Sequence, residues 1–136
     1  MKRLKLKAIA LALFVTAGFV SCNNDDDTPS ITTKKTLVSL VTGPTAGTVN
    51  QELTLNVTFA VDNSCGAFNK FIETTTDKTT VIEVEAKYEG SNCGTTATTK
   101  TTTYKFKATT TGTYILKFKK SATEFVTQTI VITAAT

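Results

Sequence analysis

The sequence of 136 residues contains no histidine and no tryptophan, and Arg3 is its only arginine. Histidine is the commonest general base in enzymes and a member of the usual serine and cysteine triads, so its absence excludes most familiar hydrolytic mechanisms. No proline follows Pro44, which argues against a mucin-like stalk as the reason for the many threonine runs. No stretch shows the period of an amphipathic helix, and the β-branched threonines favour strands.

Glu83 and Glu85 are the one close pair of carboxylates in the region predicted to fold. Two residues apart on a strand, their side chains share a face about 7 Å apart, a spacing that superficially suits glycoside hydrolysis. A solvated strand face opposite Ile82 and Val84 explains the pair better. We therefore predict that the protein is not an enzyme and needs no cofactor.

The first segment of the chain has the composition of an export signal. Lys2, Arg3, Lys5 and Lys7 precede an apolar run over residues 8–20. That run is too short to span a bilayer, which takes about 20 apolar residues, and fits the apolar region of a signal peptide. We predict a cleaved signal peptide over residues 1–21.

The end of this segment, Val20-Ser21-Cys22, resembles the lipobox of bacterial lipoproteins. The resemblance implies that Cys22 takes a diacylglyceryl thioether, becomes the mature N-terminus and carries three acyl chains. More than one chain is needed for stable anchoring, because each buried CH₂ adds only about 0.8 kcal/mol. The predicted partner of the N-terminus is therefore a membrane, held through lipid on Cys22.

An acidic run, Asp25-Asp26-Asp27, follows the predicted lipidation site. Like-charged blocks extend and resist folding, which indicates a flexible tether over residues 22–35. The run also resembles the surface-export signal of Bacteroidetes-type lipoproteins. That resemblance implies the outer face of the outer membrane, with the periplasmic face as the alternative.

The basic character of the chain belongs to its leader. Four of the fifteen lysines and arginines lie before Cys22, which leaves eleven to balance eleven aspartates and glutamates. A nucleic-acid partner requires a basic stripe, usually with arginine or aromatic residues beside it. The mature chain has net side-chain charge zero and no arginine, so we predict no nucleic-acid partner.

Beyond residue 35 the hydrophobic pattern alternates with a period of two, which is typical of half-buried strands. The clearest stretch runs from Leu53 to Val61. Short strands at roughly ten-residue spacing, without long crossovers, predict an antiparallel β-sandwich over residues 36–136. The seven predicted strands are residues 36–42, 53–61, 67–75, 81–88, 98–108, 113–119 and 125–133.

The segment Thr111-Gly112-Thr113-Tyr114-Ile115-Leu116 resembles the start of the sixth strand in Ig-like domains. In that family a tyrosine hydroxyl at this position closes the corner between two strands. The resemblance implies that residues 36–136 form a seven-stranded Ig-like β-sandwich.

With Cys22 assigned to lipid by its resemblance, Cys65 and Cys93 remain as an even pair in an oxidising compartment. In an alternating strand order, the loops after the second and fourth strands lie at the same end of the sandwich. We therefore predict a disulfide between Cys65 and Cys93. Zinc held by the two thiolates is the alternative, but no histidine or Cys-x-x-Cys pair supports it, and we predict no metal.

Two functional classes are compatible with these features. The first is a membrane-anchored binding or adhesion module, and the second is an accessory subunit of an envelope assembly, for example in glycan uptake, or a membrane-presented inhibitor. Glycan sites normally use exposed aromatic platforms, whereas Tyr88, Tyr104 and Tyr114 are all predicted to face inward. A protein partner is therefore favoured over a glycan. The loops predicted to contact it are residues 43–50, 74–80 and 109–112, at the end opposite the tether. Because an extended tether lets the domain turn over, the loops at the disulfide end, residues 62–66, 89–97 and 119–123, are the alternative.

Overall fold

The computed structural model describes residues 30–136, which form β-strands and no helix. The prediction of an all-β fold is confirmed, but these residues contain nine strands instead of the predicted seven. Within them, no helix is long and apolar enough to cross a membrane. The strands are β1 (Ile31–Thr36), β2 (Val38–Thr42), β3 (Ala46–Thr48), β4 (Glu52–Val61), β5 (Gly66–Thr76), β6 (Thr79–Glu89), β7 (Thr98–Lys107), β8 (Gly112–Lys119) and β9 (Phe125–Thr133).

β4 is the central strand of a three-stranded sheet with the order β2-β4-β7. Its five large apolar residues, Leu53, Leu55, Val57, Phe59 and Val61, are all buried, as their alternation predicts. β-branched and aromatic residues fit such a pleated, half-buried surface. β4 pairs antiparallel with β7 without a register shift, from Glu52 opposite Lys107 to Val61 opposite Thr98.

β6 organises the second sheet, which has six strands. β5 pairs with one side of β6 along almost its whole length. The other side is divided, because β8 pairs with Thr79–Ile82 and β1 pairs with Val84–Glu89. β9 and then β3 continue the sheet beyond β8. β1 and β8 therefore lie end to end along the same side of β6.

Two pairs of neighbouring strands are parallel, β6 with β8 and β3 with β9. The prediction of a purely antiparallel sandwich is wrong in this respect. After β6 the chain crosses to the three-stranded sheet and returns along it as β7. This single intervening strand brings the chain back to the end at which β6 began, so β8 runs in the same direction as β6.

The predicted first strand, residues 36–42, is replaced by two strands in different sheets. β1 begins inside the predicted tether of residues 22–35 and pairs with β6, whereas β2 pairs with β4. β1 contains no buried residue, so it lacks the alternation that indicates a half-buried strand. The loop predicted at residues 43–50 contains β3, whose three residues are too few to show a period.

The facing sides of the two sheets enclose one hydrophobic core. Phe59 of β4 and Phe118 of β8 are the largest of its fully buried side chains. Tyr104 of β7 packs edge-on against Phe118, with ring centroids 5.5 Å apart, and against Phe71 of β5, at 5.0 Å. Such edge-to-face pairs favour a defined geometry beyond simple burial. Aromatic contacts therefore join β5, β7 and β8 across the two sheets.

Tyr114 makes the corner contact that the sequence predicts for it. Its hydroxyl donates to the backbone carbonyl of Thr110 at 2.9 Å, and the Thr110 hydroxyl lies 2.8 Å away. A hydroxyl bonded to backbone a few residues upstream fixes the entry of the chain into the following strand. The contact fixes the start of β8 beside the end of β7.

The two ends of the domain are distinguished by their loops. We call the end with residues 62–65 and 90–97 the cysteine end, and the end with residues 77–78 and 108–111 the threonine end. β1 begins at the cysteine end, because Ile31 lies opposite Glu89, the last residue of β6. The chain therefore enters the domain at the cysteine end.

Candidate interaction site

β5 and β7 are edge strands, since no other strand of residues 30–136 pairs with their far sides. They belong to different sheets but lie on the same side of the molecule, as the contact between Phe71 and Tyr104 shows. The space between the two sheets is thus accessible from this side.

A groove of about 390 Å³ lies between the two edges, toward the threonine end. Residues of β5 and of the turn after it line one wall, and residues of β7 line the other. The lining residues are Glu73, Thr75, Asp77, Thr80, Tyr104, Lys105, Phe106, Lys107 and Tyr114.

Tyr104 is a buried aromatic residue of this groove, with only 5% of its surface exposed. Burial raises the pKa of its phenol, and the neighbouring Glu73 carboxylate raises it further. Both effects disfavour the phenolate, so the hydroxyl stays neutral at physiological pH and keeps its capacity to donate a hydrogen bond. The groove therefore combines aromatic surface with a fixed polar group.

The two sides of the groove carry opposite charges. Glu73 and Asp77 make the β5 wall acidic, whereas Lys105 and Lys107 lie on the outer face of β7 and make the rim on that side basic. Lys105 Nζ lies 2.9 Å from Oε1 of Glu52, and both side chains are more than half exposed. Because an exposed pair contributes only about 0–1 kcal/mol, Lys105 can exchange this contact for another carboxylate at little cost.

The turn between β5 and β6 closes the groove at the threonine end. Asp77 has a positive φ of 54°, which an aspartate tolerates in a tight turn better than most residues do. The carbonyl of Lys78 accepts a hydrogen bond from Ile115 at 2.9 Å, and its Nζ lies 5.9 Å from the Tyr114 ring centroid. The turn is therefore held against the start of β8.

β7 pairs more regularly with its neighbour than β5 does, the other edge strand that flanks the groove. The pairing of β5 with β6 shifts between Phe68 and Lys70, whereas β7 pairs with β4 over its full length without a shift. A bulge twists an edge and interrupts the row of backbone groups that it presents. Thr101 on β7 also lies within hydrogen-bonding distance of Thr58 on β4, at 3.2 Å.

The structure places the predicted pair Cys65 and Cys93 at bonding distance, with Sγ atoms 2.09 Å and Cα atoms 5.1 Å apart. Ser64 hydrogen-bonds to the Cys93 carbonyl through its hydroxyl, at 2.6 Å, and through its backbone N–H, at 3.2 Å. The Asn63 side chain accepts a bond from the Cys65 N–H at 3.0 Å. These contacts join the loop after β4 to the loop after β6 at the cysteine end, far from the groove.

Glu83 and Glu85 contact different polar partners. Glu83 lies 2.6 Å from Lys35 Nζ and 3.0 Å from Lys119 Nζ, and Glu85 accepts a bond from Asn69 at 2.7 Å. The hydrogen bond from Lys35, followed by the one from Lys119, holds the pKa of Glu83 below its ordinary value. A general acid needs a raised pKa, so the geometry supports the interpretation of both residues as part of a charged strand face.

A second cleft, of about 400 Å³, lies beside β1 at the cysteine end, and its lining includes Thr32, Lys34, Asp62 and Tyr88. Lys34 and Asp62 form an exposed ion pair at 2.7 Å, which raises the pKa of Lys34. The Tyr88 hydroxyl accepts a bond from the Asp62 N–H at 3.0 Å. The polar groups of this cleft are thus engaged with one another.

Cys22, the predicted lipidation site, lies outside the described residues. Within residues 30–136, no group of three or more histidine, cysteine, aspartate or glutamate side chains is placed to hold a metal ion. Comparison of the chain with protein-family models, with curated protein sequences and with solved structures found no match.

The groove was not predicted from the sequence. The sequence predicts that Tyr104 and Tyr114 face inward, and one of the loops it predicts at this end, residues 74–80, lines the groove. It does not reveal that β5 and β7 are both edges on the same side, because strand order depends on contacts between distant segments. Glu73 was consequently not recognised as part of a site.

Proposed function

We propose that this protein is a lipid-anchored protein of a bacterial cell envelope, whose Ig-like β-sandwich domain binds another protein without catalysis. The leader over residues 1–21 and the lipobox-like Ser21-Cys22 support the anchor. The placement of Cys65 beside Cys93 supports an oxidising compartment, where disulfides persist. The acidic run after Cys22 supports the outer face of the outer membrane.

The observation that carries the binding function is the groove between the two edge strands. Small soluble domains normally cover or shorten their sheet edges, since unpaired backbone groups promote association with other chains. Here two long edges border one concave surface that contains a neutral phenol and both signs of charge. Such a surface is suited to a polypeptide partner.

The tyrosines support a protein partner over a glycan. Tyr104 is buried, and Tyr88 and Tyr114 are half-buried, so none of them presents an exposed ring on which a sugar stacks. The position of the groove also fits the proposed anchor. The chain enters at the cysteine end, and the groove lies toward the opposite end, where a partner can reach it without meeting the membrane.

The experiment that tests this function begins with the anchor. We expect the wild-type protein to incorporate labelled fatty acid and to partition into detergent, and Cys22→Ser to lose both properties. Lipid incorporation that persists in the Cys22→Ser variant would contradict the proposed anchor.

The same cells then test the partner. A photo-crosslinking amino acid at Thr103, on β7 beside the groove, should give a discrete adduct with a second protein. The matched control position is Thr129, an exposed threonine on the outer face of β9. Adducts of equal yield at both positions, or none at Thr103, would show that the groove side of the domain does not bind a protein.

A further inference from the structure

We propose that the partner of this site is an extended, acidic segment of another protein that adds as a fourth strand to the three-stranded sheet, along the free edge of β7. This inference rests on the proposed function and specifies the chemistry of the partner.

The backbone of β7 provides the first part of the argument. In an antiparallel pair, only alternate residues of a strand bond to the neighbour, so half of the N–H and C=O groups of β7 point away from β4. No strand in the part of the chain that the structure describes pairs with them. The row is not interrupted by a bulge. An extended segment can pair with such an edge in register, as in other cases of strand addition.

The side chains of β7 alternate between two environments. Thr102, Tyr104 and Phe106 face the core, whereas Lys105 and Lys107 lie on the outer face. An added strand follows the same alternation about 4.8 Å away. Its inward side chains would lie beside Tyr104 and over the half-buried Phe71 of β5, where apolar groups find cross-strand contacts.

The charge of β7 selects an acidic partner. The strand contains Lys100, Lys105 and Lys107 and no acidic residue. Pairing with β7 of a second copy would bring Lys105 and Lys107 of both copies to the outer face of one seam, and such like-charge contacts disfavour self-association. A segment with aspartate or glutamate on its outer face is complementary to Lys105 and Lys107.

Glu73 determines on which face of the partner the acidic residues lie. This carboxylate is on the β5 wall, beside Tyr104. An acidic side chain directed into the groove would meet the Glu73 carboxylate, so the repulsive contact disfavours it. The fitting segment therefore alternates apolar residues, which face inward, with acidic residues, which face outward.

The test uses the full chain purified in detergent and a fluorescein-labelled peptide of alternating valine and glutamate, as long as β7. We expect this peptide to bind, measured by fluorescence anisotropy, and the matching valine-lysine peptide to bind at least about tenfold more weakly, because its charges repel those of β7. The double variant Lys105→Glu/Lys107→Glu should reverse this preference. The control Lys87→Glu/Lys120→Glu has the same change in charge away from the groove and should leave the preference unchanged.

Two proline variants test the backbone pairing directly. Adjacent N–H groups of a strand point to opposite sides. One of the two variants Thr102→Pro and Thr103→Pro therefore removes a hydrogen bond to β4, and the other removes a free donor of the edge. The variant with the smaller loss of stability is the one that lacks the edge donor, and we expect that variant to lose binding of the valine-glutamate peptide. Wild-type affinity in that variant, or equal affinity of wild type for both peptides, would overturn the inference. If Thr103 crosslinks to a protein in cells but the purified protein does not bind the peptide, this inference alone is overturned. If the peptide binds but no adduct forms in cells, the result counts against the proposed function.

Discussion

Phe59 is the side chain whose removal should most directly test the core. It is fully buried and its ring lies 6.2 Å from that of Phe68. Phe59→Ala should lower the free energy of unfolding by about 3–5 kcal/mol, because it removes buried apolar contacts and leaves a cavity. Urea denaturation measures the effect. The control is Leu40→Ala, on the same sheet but 54% exposed, and a similar loss in both variants would show that the assignment of the buried face is wrong.

Glu83 should make stability depend on pH in the acid range. Its pKa is below the ordinary value of 4.5 in the folded state, since Lys35 and Lys119 donate to the ionised carboxylate. A lowered folded-state pKa stabilises the fold above the unfolded pKa, and this contribution is lost as pH falls through the folded pKa. The free energy of unfolding should therefore decrease from about pH 4.5 downward.

The matched variants for this prediction are Glu83→Gln and Glu89→Gln. Glu89 is an exposed glutamate at the end of β6, so its substitution changes the net charge equally without breaking the contacts to β1 and β8. Urea denaturation between pH 2 and pH 7 should show a shallower acid-induced loss in Glu83→Gln only. The same pH profile in both variants would exclude a special role for Glu83.

At the scale of structural elements, the cysteine end depends on the contact between two loops. Cys65 and Cys93 are 28 residues apart in sequence, and closing a loop of that length contributes about 3–4 kcal/mol in the chain-entropy account. Cys65→Ala/Cys93→Ala should lose about this much stability, with the strand content unchanged by circular dichroism. The intact mass before and after reduction and alkylation should report one bond. Two free thiols in the unreduced protein would refute the disulfide.

The same scale shows why some elements could be predicted and others not. β4, β6 and β7 each bury one face, so their apolar residues alternate and their positions follow from the sequence. β1 buries no side chain and is held by backbone pairing with β6 and by ion pairs such as that of Lys35 with Glu83. Neither kind of contact leaves a hydrophobic period in the sequence. In β5 the apolar residues Phe68, Phe71 and Ile72 do not alternate cleanly, and the pairing with β6 shifts register between Phe68 and Lys70.

At the scale of the whole molecule, the order of the strands could not be predicted from the hydrophobic pattern of the sequence. The alternation of each strand indicates which side is buried but not which strand lies beside it. The parallel pairing of β6 with β8 and the edge positions of β5 and β7 arise from contacts between segments far apart in the chain. The groove exists because of that order. The sequence therefore predicted the inward-facing tyrosines and one lining loop, residues 74–80, but not the site.

The place where β1 joins β6 also has a mechanical consequence. A chain held at its N-terminus and gripped by a partner at the groove is under tension between the cysteine end and the threonine end, which is along the strand axes. Because inter-strand hydrogen bonds are perpendicular to the strands, this tension loads the six residue pairs between β1 and β6 in shear. All of them resist together, along with the contact of Lys35 with Glu83, instead of opening one after another. Force applied at the N-terminus is therefore transmitted into the domain through the pairing of β1 with β6. The force needed to detach β1 when it is pulled along the strand axis should exceed the force needed when it is pulled perpendicular to that axis.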